Sequence, residues 1–459
     1  MASLIKHVST SYISVILAFS LLNGCTTFSK DGGFTEVESA VCKRSGQIPI
    51  WLRSEDELNV HQVLVNSMLE KSLSADEAVN IAFINNPSLQ ISLAELGIAE
   101  ADLVQAGKIR NPSISYLKLT PLSDEYDIER SVIFDVMSLL TVPMRTAIER
   151  QRFQQAKLQA AMDVLQVAAE TRKAYYSAVA SQQMMGYLEK VNEVAKSSAQ
   201  LASRMTEAGN WSRLQQAREQ ALYSEVMTQL ARANLIVAKD RERLTRLMGL
   251  WGNQIDFKIP ERLSELPLNI KEPCELEKQA LVNRLDIQAM KRDIESKCKA
   301  LGLTKATRFI NLLNLGYVHN SSSDNIPHQS GYEISLEIPL FDWGDAKIAK
   351  AQSIYMQSVW HLREIAINAR SEVRESYQAY RTHYDIAKHY RDEVIPLHKQ
   401  ILNESLLRYN GMLIGTFELL ADERKQISSV NAYIEALRDF WIAETDLQTA
   451  LMVKSPNTL

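Results

Sequence analysis

From Arg145 to Glu207 the chain contains no proline and a single glycine, Gly186. Ala, Gln, Glu, Lys and Leu dominate the run, and these residues lose least on entering a helix. About 63 residues of helix, at 1.5 Å each, span about 95 Å. A compact globule of this chain length has a diameter of roughly 57 Å. The run is longer than such a globule is wide, so the sequence predicts an elongated molecule with helices packed side by side. The scarcity of glycine and proline, 16 and 12 in 459 residues, favours the same helical reading over an all-β chain.

The run turns at "AGNW" (208–211), returns as a helix to "LTRLMGLWG" (244–252) and meets a proline-containing connection at 256–273. The plan then starts again. "QALVNRLDIQ" (279–288) falls on "IAFINNPSLQ" (81–90), with Ala280 on Ala82, Asn283 on Asn85 and Gln288 on Gln90. A second long helix is expected from about Asp345 to Tyr409, interrupted near Pro396. It turns at "NGMLIGT" (410–416) and returns until about Met452, with Arg408 on Arg204 and Leu214 in the place of Glu418. A period of roughly 200 residues exceeds any solenoid unit and implies duplication of a whole module. The boundaries follow: a tether segment without strong period at 25–73, a first repeat at 74–255, a connection at 256–273, a second repeat at 274–452 and a tail at 453–459. Ser74 is an N-cap candidate, with Asp76 and Glu77 in the first turn.

Each repeat holds two strand candidates, at 112–119 and 130–140 and again at 311–320 and 331–339. The last, "YEISLEIP", alternates cleanly: Tyr332, Ile334, Leu336 and Ile338 on one face, Glu333, Ser335 and Glu337 on the other. Pro339 ends its pairing and Asp342 to Gly344 turns the chain. Four strands of barrel length leave two open edges, which lipid does not tolerate, so closure requires further copies of the chain.

The first 24 residues read as an export signal, with Lys6 and His7 ahead of the apolar run Tyr12 to Leu22. "LNGC" (22–25) resembles the bacterial lipoprotein box, which makes Cys25 the lipidation candidate; Thr26 beside it favours an outer-membrane destination. The other reading is a plain signal peptide with an incidental cysteine. No later run of about 18 apolar residues supplies a transmembrane helix. Cys274 and Cys298 lie too far apart along a helix to pair, and Cys42 is left open. A net charge of -4 argues against nucleic acid.

With these features in order, the sequence resembles the TolC-like outer-membrane factor family over residues 74–452. The residues carrying the likeness are "EAVNIAFINNPSL" (77–89), Ala106 with Pro112, "LMGL" ending at Leu250, "IPLFDWG" (338–344) and "RYNGMLIGTFELLADE" (408–423). The resemblance implies a mainly α fold with a small β part: a long α-helical barrel, and four strands per chain contributing to one trimeric transmembrane β-barrel. It implies a homotrimer that is the exit duct of a tripartite efflux pump, joined by a periplasmic adaptor to an inner-membrane transporter, lipid-anchored in the outer membrane and extending into the periplasm. The expected cargo is small toxic compounds, with heavy-metal cations suggested by "YNGMLIGTFELL". Glu333 and Glu337 then line the barrel lumen, and Glu418 with Asp422 marks the periplasmic aperture. The turns around Gly209, Asn210, Gly415 and Thr416 become adaptor-docking tips, in which the glycines also end helices. No cofactor or metal is implied, and no reaction is catalysed.

Three alternatives compete. The outer-membrane part of a type I protein secretion system shares the same architecture. A periplasmic coiled-coil lipoprotein scaffold explains the helices but not the strands. An enzyme finds no foothold: GxGxxG, a phosphate-binding loop, HExxH and CxxC are all missing. His383 and His389 are spaced onto different helical faces, and His319 and His328 read as loop histidines.

Overall fold

A computed structural model describes residues 27–119, 126–268, 270, 275–310, 312–322 and 328–454. The signal segment, Cys25, Cys274 and the last five residues lie outside these. The chain forms two compact units, one of Met1–Val37, Ala94–Ala160 and Ile287–Ile365, the other of Glu38–Leu93, Ala161–Asp286 and Ala366–Leu459.

Helices α1 (Phe34–Ser45) and α2 (Glu55–Leu69) occupy the N-terminal segment, where weak periodicity predicts an extended path. Ser54 caps α2 by accepting from the Glu57 amide at 3.3 Å, a signal the sequence carried unread. Helix α3 (Ala75–Asn85) starts at Ser74 in a full capping box with Glu77, and Pro87 opens α4 (Pro87–Ala106). Strands β1 (Ser113–Leu119) and β2 (Asp127–Asp135) follow, then the long helix α5 (Val136–Glu207) and its return α6 (Arg213–Met248). The second half repeats this order as α7 (Leu276–Asn283), α8 (Leu285–Ala306), β3 (Leu313–Ser322), β4 (Gln329–Leu336) and α9 (Asp345–His389). A π turn (Tyr390–Val394) leads into α10 (Ile395–Asn410), and α11 (Thr416–Met452) returns. The π turn lies immediately ahead of Pro396, where the missing amide interrupts the regular ladder.

One boundary differs clearly from expectation. β2 ends at Asp135 rather than near 140, and α5 begins nine residues before Arg145, running through Pro143. The Asp135 carboxylate accepts the Ser138 amide at 2.7 Å and so caps the new helix. Beside Pro143, the Arg145 guanidinium and Thr141 hydroxyl bond the carbonyls of Ser138 and Met137.

The second unit holds an aromatic core. Phe440 of α11 packs on Tyr380 and Tyr384 of α9 with ring centroids 5.5 and 5.7 Å apart, and Trp441 stacks on Tyr176 of α5. The Tyr175 hydroxyl donates to the Leu73 carbonyl at 2.9 Å, and burial pushes the Tyr175 and Tyr176 phenols up to about 12. The two halves close their ends alike. Asn86, between α3 and α4, donates to the Leu247 carbonyl in the last turn of α6 at 2.8 Å. Arg284, between α7 and α8, donates to the Ala450 carbonyl near the end of α11 at 3.3 Å. Arg284 is only 1% exposed and is bound at 2.7 Å by both Asp286 and Glu372. Burial pulls its guanidinium down, but the two carboxylates outweigh this and hold it above the usual arginine value.

Cys42 and Cys298 are free thiols. Among the described residues no helix is long and apolar enough to cross a membrane.

Candidate functional site

The four strands form one antiparallel sheet in the order β1-β2-β3-β4, leaving β1 and β4 as edges. Residues paired across an antiparallel ladder share a face, so the registers sort every strand residue to one side. The rows Ile114–Val132–Tyr317–Tyr332 and Phe134–Leu315–Ile334 lie on one side, which we call the tyrosine face. The rows Ser113–Ile133–Gly316–Glu333, Ser115–Ser131–Val318–Gly331 and Asp135–Asn314–Ser335 lie on the other, the carboxylate face.

The two faces differ in size as well as polarity. Tyr332 and Ile334 are 84% and 71% exposed on the tyrosine face, whereas Ser131 on the carboxylate face is 4% exposed. A Cβ added at Gly316 would meet Ile133 Cγ1 at 3.3 Å, and the Ser115 and Ser131 hydroxyls bond each other at 2.8 Å. Gly316 and the paired serines crowd the middle of the carboxylate face, while Leu117 and Leu119 stand exposed on it toward the end of β1. Glu333 stands on this face, paired across the ladder with Gly316. Glu337 follows the end of β4, where its amide still donates to the Leu312 carbonyl at 3.2 Å, and alternation puts it on the same face.

The two helical hairpins turn by the same device. After α5, the Asn210 amide bonds the Met205 carbonyl at 2.8 Å and the Gly209 amide bonds Thr206 at 3.0 Å. After α10, the Leu413 amide bonds Arg408 at 2.8 Å and the Met412 amide bonds Tyr409 at 2.9 Å. Both are Schellman motifs. The left-handed residue is Gly209 (φ 78°) in the first and Met412 (φ 57°) in the second. Gly415 thus does not end a helix as expected; it is the N-cap of α11, and Thr416 is that helix's first residue.

This geometry corrects the repeat register by one residue. Arg408 coincides with Met205 rather than Arg204, and Glu418 with Gln215 rather than Leu214. Gln215 is spent in a capping box with Ser212, whose hydroxyl accepts its amide at 3.2 Å while its side chain accepts the Ser212 amide at 2.9 Å. The Glu418 side chain is exposed beside a cap that lacks a side-chain bond. One turn on, Asp422 is half-buried and accepts the Ser405 hydroxyl at 2.6 Å, with the Lys425 ammonium at 3.9 Å.

Sequence reasoning missed Glu219 and Glu423. Glu219 on α6 is buried and accepts the Ser198 hydroxyl at 2.8 Å. Burial pushes the Glu423 carboxyl up, and the Glu219 charge adds to the shift. Nothing in spacing reveals this pair, because it joins two helices far apart in sequence. Also missed were Met412 and Leu413, 93% and 77% exposed at the second tip. Among the described residues, no group of three or more His, Cys, Asp or Glu is placed to hold a metal ion.

No family model matches the chain. It is 20% identical over 393 residues to the cobalt-zinc-cadmium resistance protein CzcC of Cupriavidus metallidurans, covering 83% of this chain and 90% of that protein. A crystal structure of CusC superimposes with a TM-score of 0.71 at 17% identity, covering 83% of this chain and 92% of that one. The Campylobacter jejuni CmeC outer membrane channel matches with a TM-score of 0.70 at 16% identity, over 82% of this chain and 85% of its own. The likeness to these solved channels, at TM-scores of about 0.7 over more than four fifths of the chain, shows that this chain has the fold of TolC-like outer-membrane channels.

Proposed function

We propose that the protein is the outer-membrane exit duct of a tripartite efflux system, working as a homotrimer that catalyses no reaction. The observation that carries this reading is the sheet. Its tyrosine face, apolar at the end where the strands join the helices, suits lipid there, its carboxylate face suits a water-filled lumen, and its two open edges need neighbouring copies to close a barrel. The helical hairpins then extend into the periplasm. The exposed Met412 and Leu413, with Leu214 and Gly209 at the other tip, suit docking of a periplasmic adaptor that leads to an inner-membrane transporter.

Heavy-metal cations are the cargo this reading favours. It rests on the likeness to a cobalt-zinc-cadmium resistance protein and on the acidic lining supplied by Asp127, Glu129, Asp135 and Glu333. In the same reading Cys25 carries a lipid anchor, and Glu418 rings the aperture.

Planar-bilayer recordings of the detergent-extracted protein, with its oligomer mass, test the proposal. A trimer with small cation-selective openings supports it; a monomer without conductance overturns it and favours a periplasmic scaffold. Glu418→Ala is expected to weaken cation preference, and unchanged selectivity removes Glu418 from the pore. Metabolic labelling with palmitate tests Cys25, with label lost in Cys25→Ala.

A further inference from the structure

The charges on the sheet are divided between its faces. Among the described strand residues, Asp127, Glu129, Asp135 and Glu333 all lie on the carboxylate face, whereas Lys118 and Arg130 lie on the tyrosine face. The two cations are also grouped along the strands. Near the helices the tyrosine face is wholly apolar, through Leu313 with Leu336 and Phe134 with Leu315 and Ile334. Next come the tyrosines, Tyr317 and Tyr332, with ring centroids 5.9 Å apart. Beyond them the register brings Tyr116, Arg130, His319 and Ser330 into one row and Lys118 and Ile128 into the next.

This end of the face is fitted with aromatic and imidazole rings around the cations. The Lys118 ammonium stands 5.4 Å from the centre of the Tyr126 ring. His319 bonds the Ser330 hydroxyl through Nδ1 at 3.0 Å, and its ring lies 5.8 Å from that of His328. Arg130 is exposed directly across the ladder from His319. Among the described strand residues no carboxylate shares this face with the two cations.

We infer that the Lys118, Arg130, His319 and His328 rim of the tyrosine face binds the phosphates of a phosphate-bearing glycolipid in the outer leaflet. The inference rests on the proposed barrel. In that reading the helices leave from the opposite end of the sheet, so the rim sits at the outer headgroup level. Aromatic rings with a polar edge settle at that depth, and cations just beyond them meet headgroup phosphates. The guanidinium of Arg130 offers paired donors to phosphate oxygens, and Lys118 adds a point charge.

The test is native mass spectrometry of the detergent-extracted protein titrated with lipid A, with dephosphorylated lipid A as the second probe. Wild type is expected to retain lipid A and release the dephosphorylated form. The Lys118→Gln/Arg130→Gln double variant is expected to retain lipid A about 25-fold more weakly, at about fivefold for each cation lost. Equal retention by wild type and variant, or equal retention of the two lipids by wild type, overturns the inference. The same spectra give the oligomer mass, and bilayer recordings of the variant report the channel. A conducting trimer without phosphate selectivity removes this inference alone, while absence of trimer and conductance removes the barrel reading with it.

Discussion

Met412 occupies, in the second hairpin turn, the left-handed backbone position that Gly209 occupies in the first. The hydrogen bonds around the two residues are equivalent, but only one of them lacks a Cβ. A side chain held in that conformation is strained by roughly 1–2 kcal/mol, offset by a glycine entropy penalty of roughly 0.5–1 kcal/mol. Met412→Gly is expected to stabilise its tip by up to about 1 kcal/mol. Gly209→Ala is expected to weaken the other tip by at least about 1 kcal/mol. Amide exchange at Leu413 and Asn210 reads the two effects separately.

Glu423 should make the contact between α6 and α11 sensitive to acid in an unusual direction. Burial and the nearby Glu219 raise its pKa above the ordinary glutamate value of 4.5. The folded protein therefore holds this proton more tightly than the unfolded chain does. Its contribution to stability is full below that ordinary value and is lost as pH rises through the raised one. Thermal unfolding of Glu423→Gln is expected to show a higher midpoint than wild type at pH 8 and a smaller rise on acidification. An identical pH profile in the two proteins would refute the coupling.

Arg284 presents the opposite case, a charge that is safe only while its partners remain. Arg284→Ala removes the guanidinium that Asp286 and Glu372 both bind in a buried site and is expected to destabilise the protein by about 3–5 kcal/mol. Joint replacement, Arg284→Met with Glu372→Met and Asp286→Ala, is expected to recover most of that loss. Chemical denaturation of the three proteins distinguishes a network from an isolated pair.

Glycine at 249 and glycine at 186 should respond oppositely to the same substitution. At Gly249, with φ 64°, an added Cβ would collide with the Asn85 carbonyl where α3 meets the end of α6. Gly249→Ala is expected to destabilise by about 2–4 kcal/mol. Gly186 sits inside α5 with open space around its Cβ position, and Gly186→Ala is expected to stabilise by up to about 1 kcal/mol. Midpoints of thermal unfolding compare them directly.

The long helices, the duplication and the alternation of β4 were legible because each depends on local pattern. The start of α5 was not legible: the strand candidate runs to 140, yet Asp135 caps the helix at Ser138 and Arg145 bonds the Ser138 carbonyl beside Pro143. The one-residue error at the tips arose because identity of Arg204 and Arg408 is a weaker guide than the hydrogen bonds that define the turn. Glu333 could be assigned to a polar face from alternation alone. The Glu219–Glu423 pair and the Arg284 network could not, since both depend on which helices become neighbours.

The open edges of the sheet also have a genetic consequence. In the proposed homotrimer β1 of one chain pairs with β4 of the next, so the ring has three identical seams and each chain contributes to two of them. A chain whose β4 is blocked by proline, for instance at Ile334, spoils any ring it enters. Co-expressed in equal amount with the intact chain, it leaves about one ring in eight free of the defect, if subunits mix at random. Such an allele would be dominant.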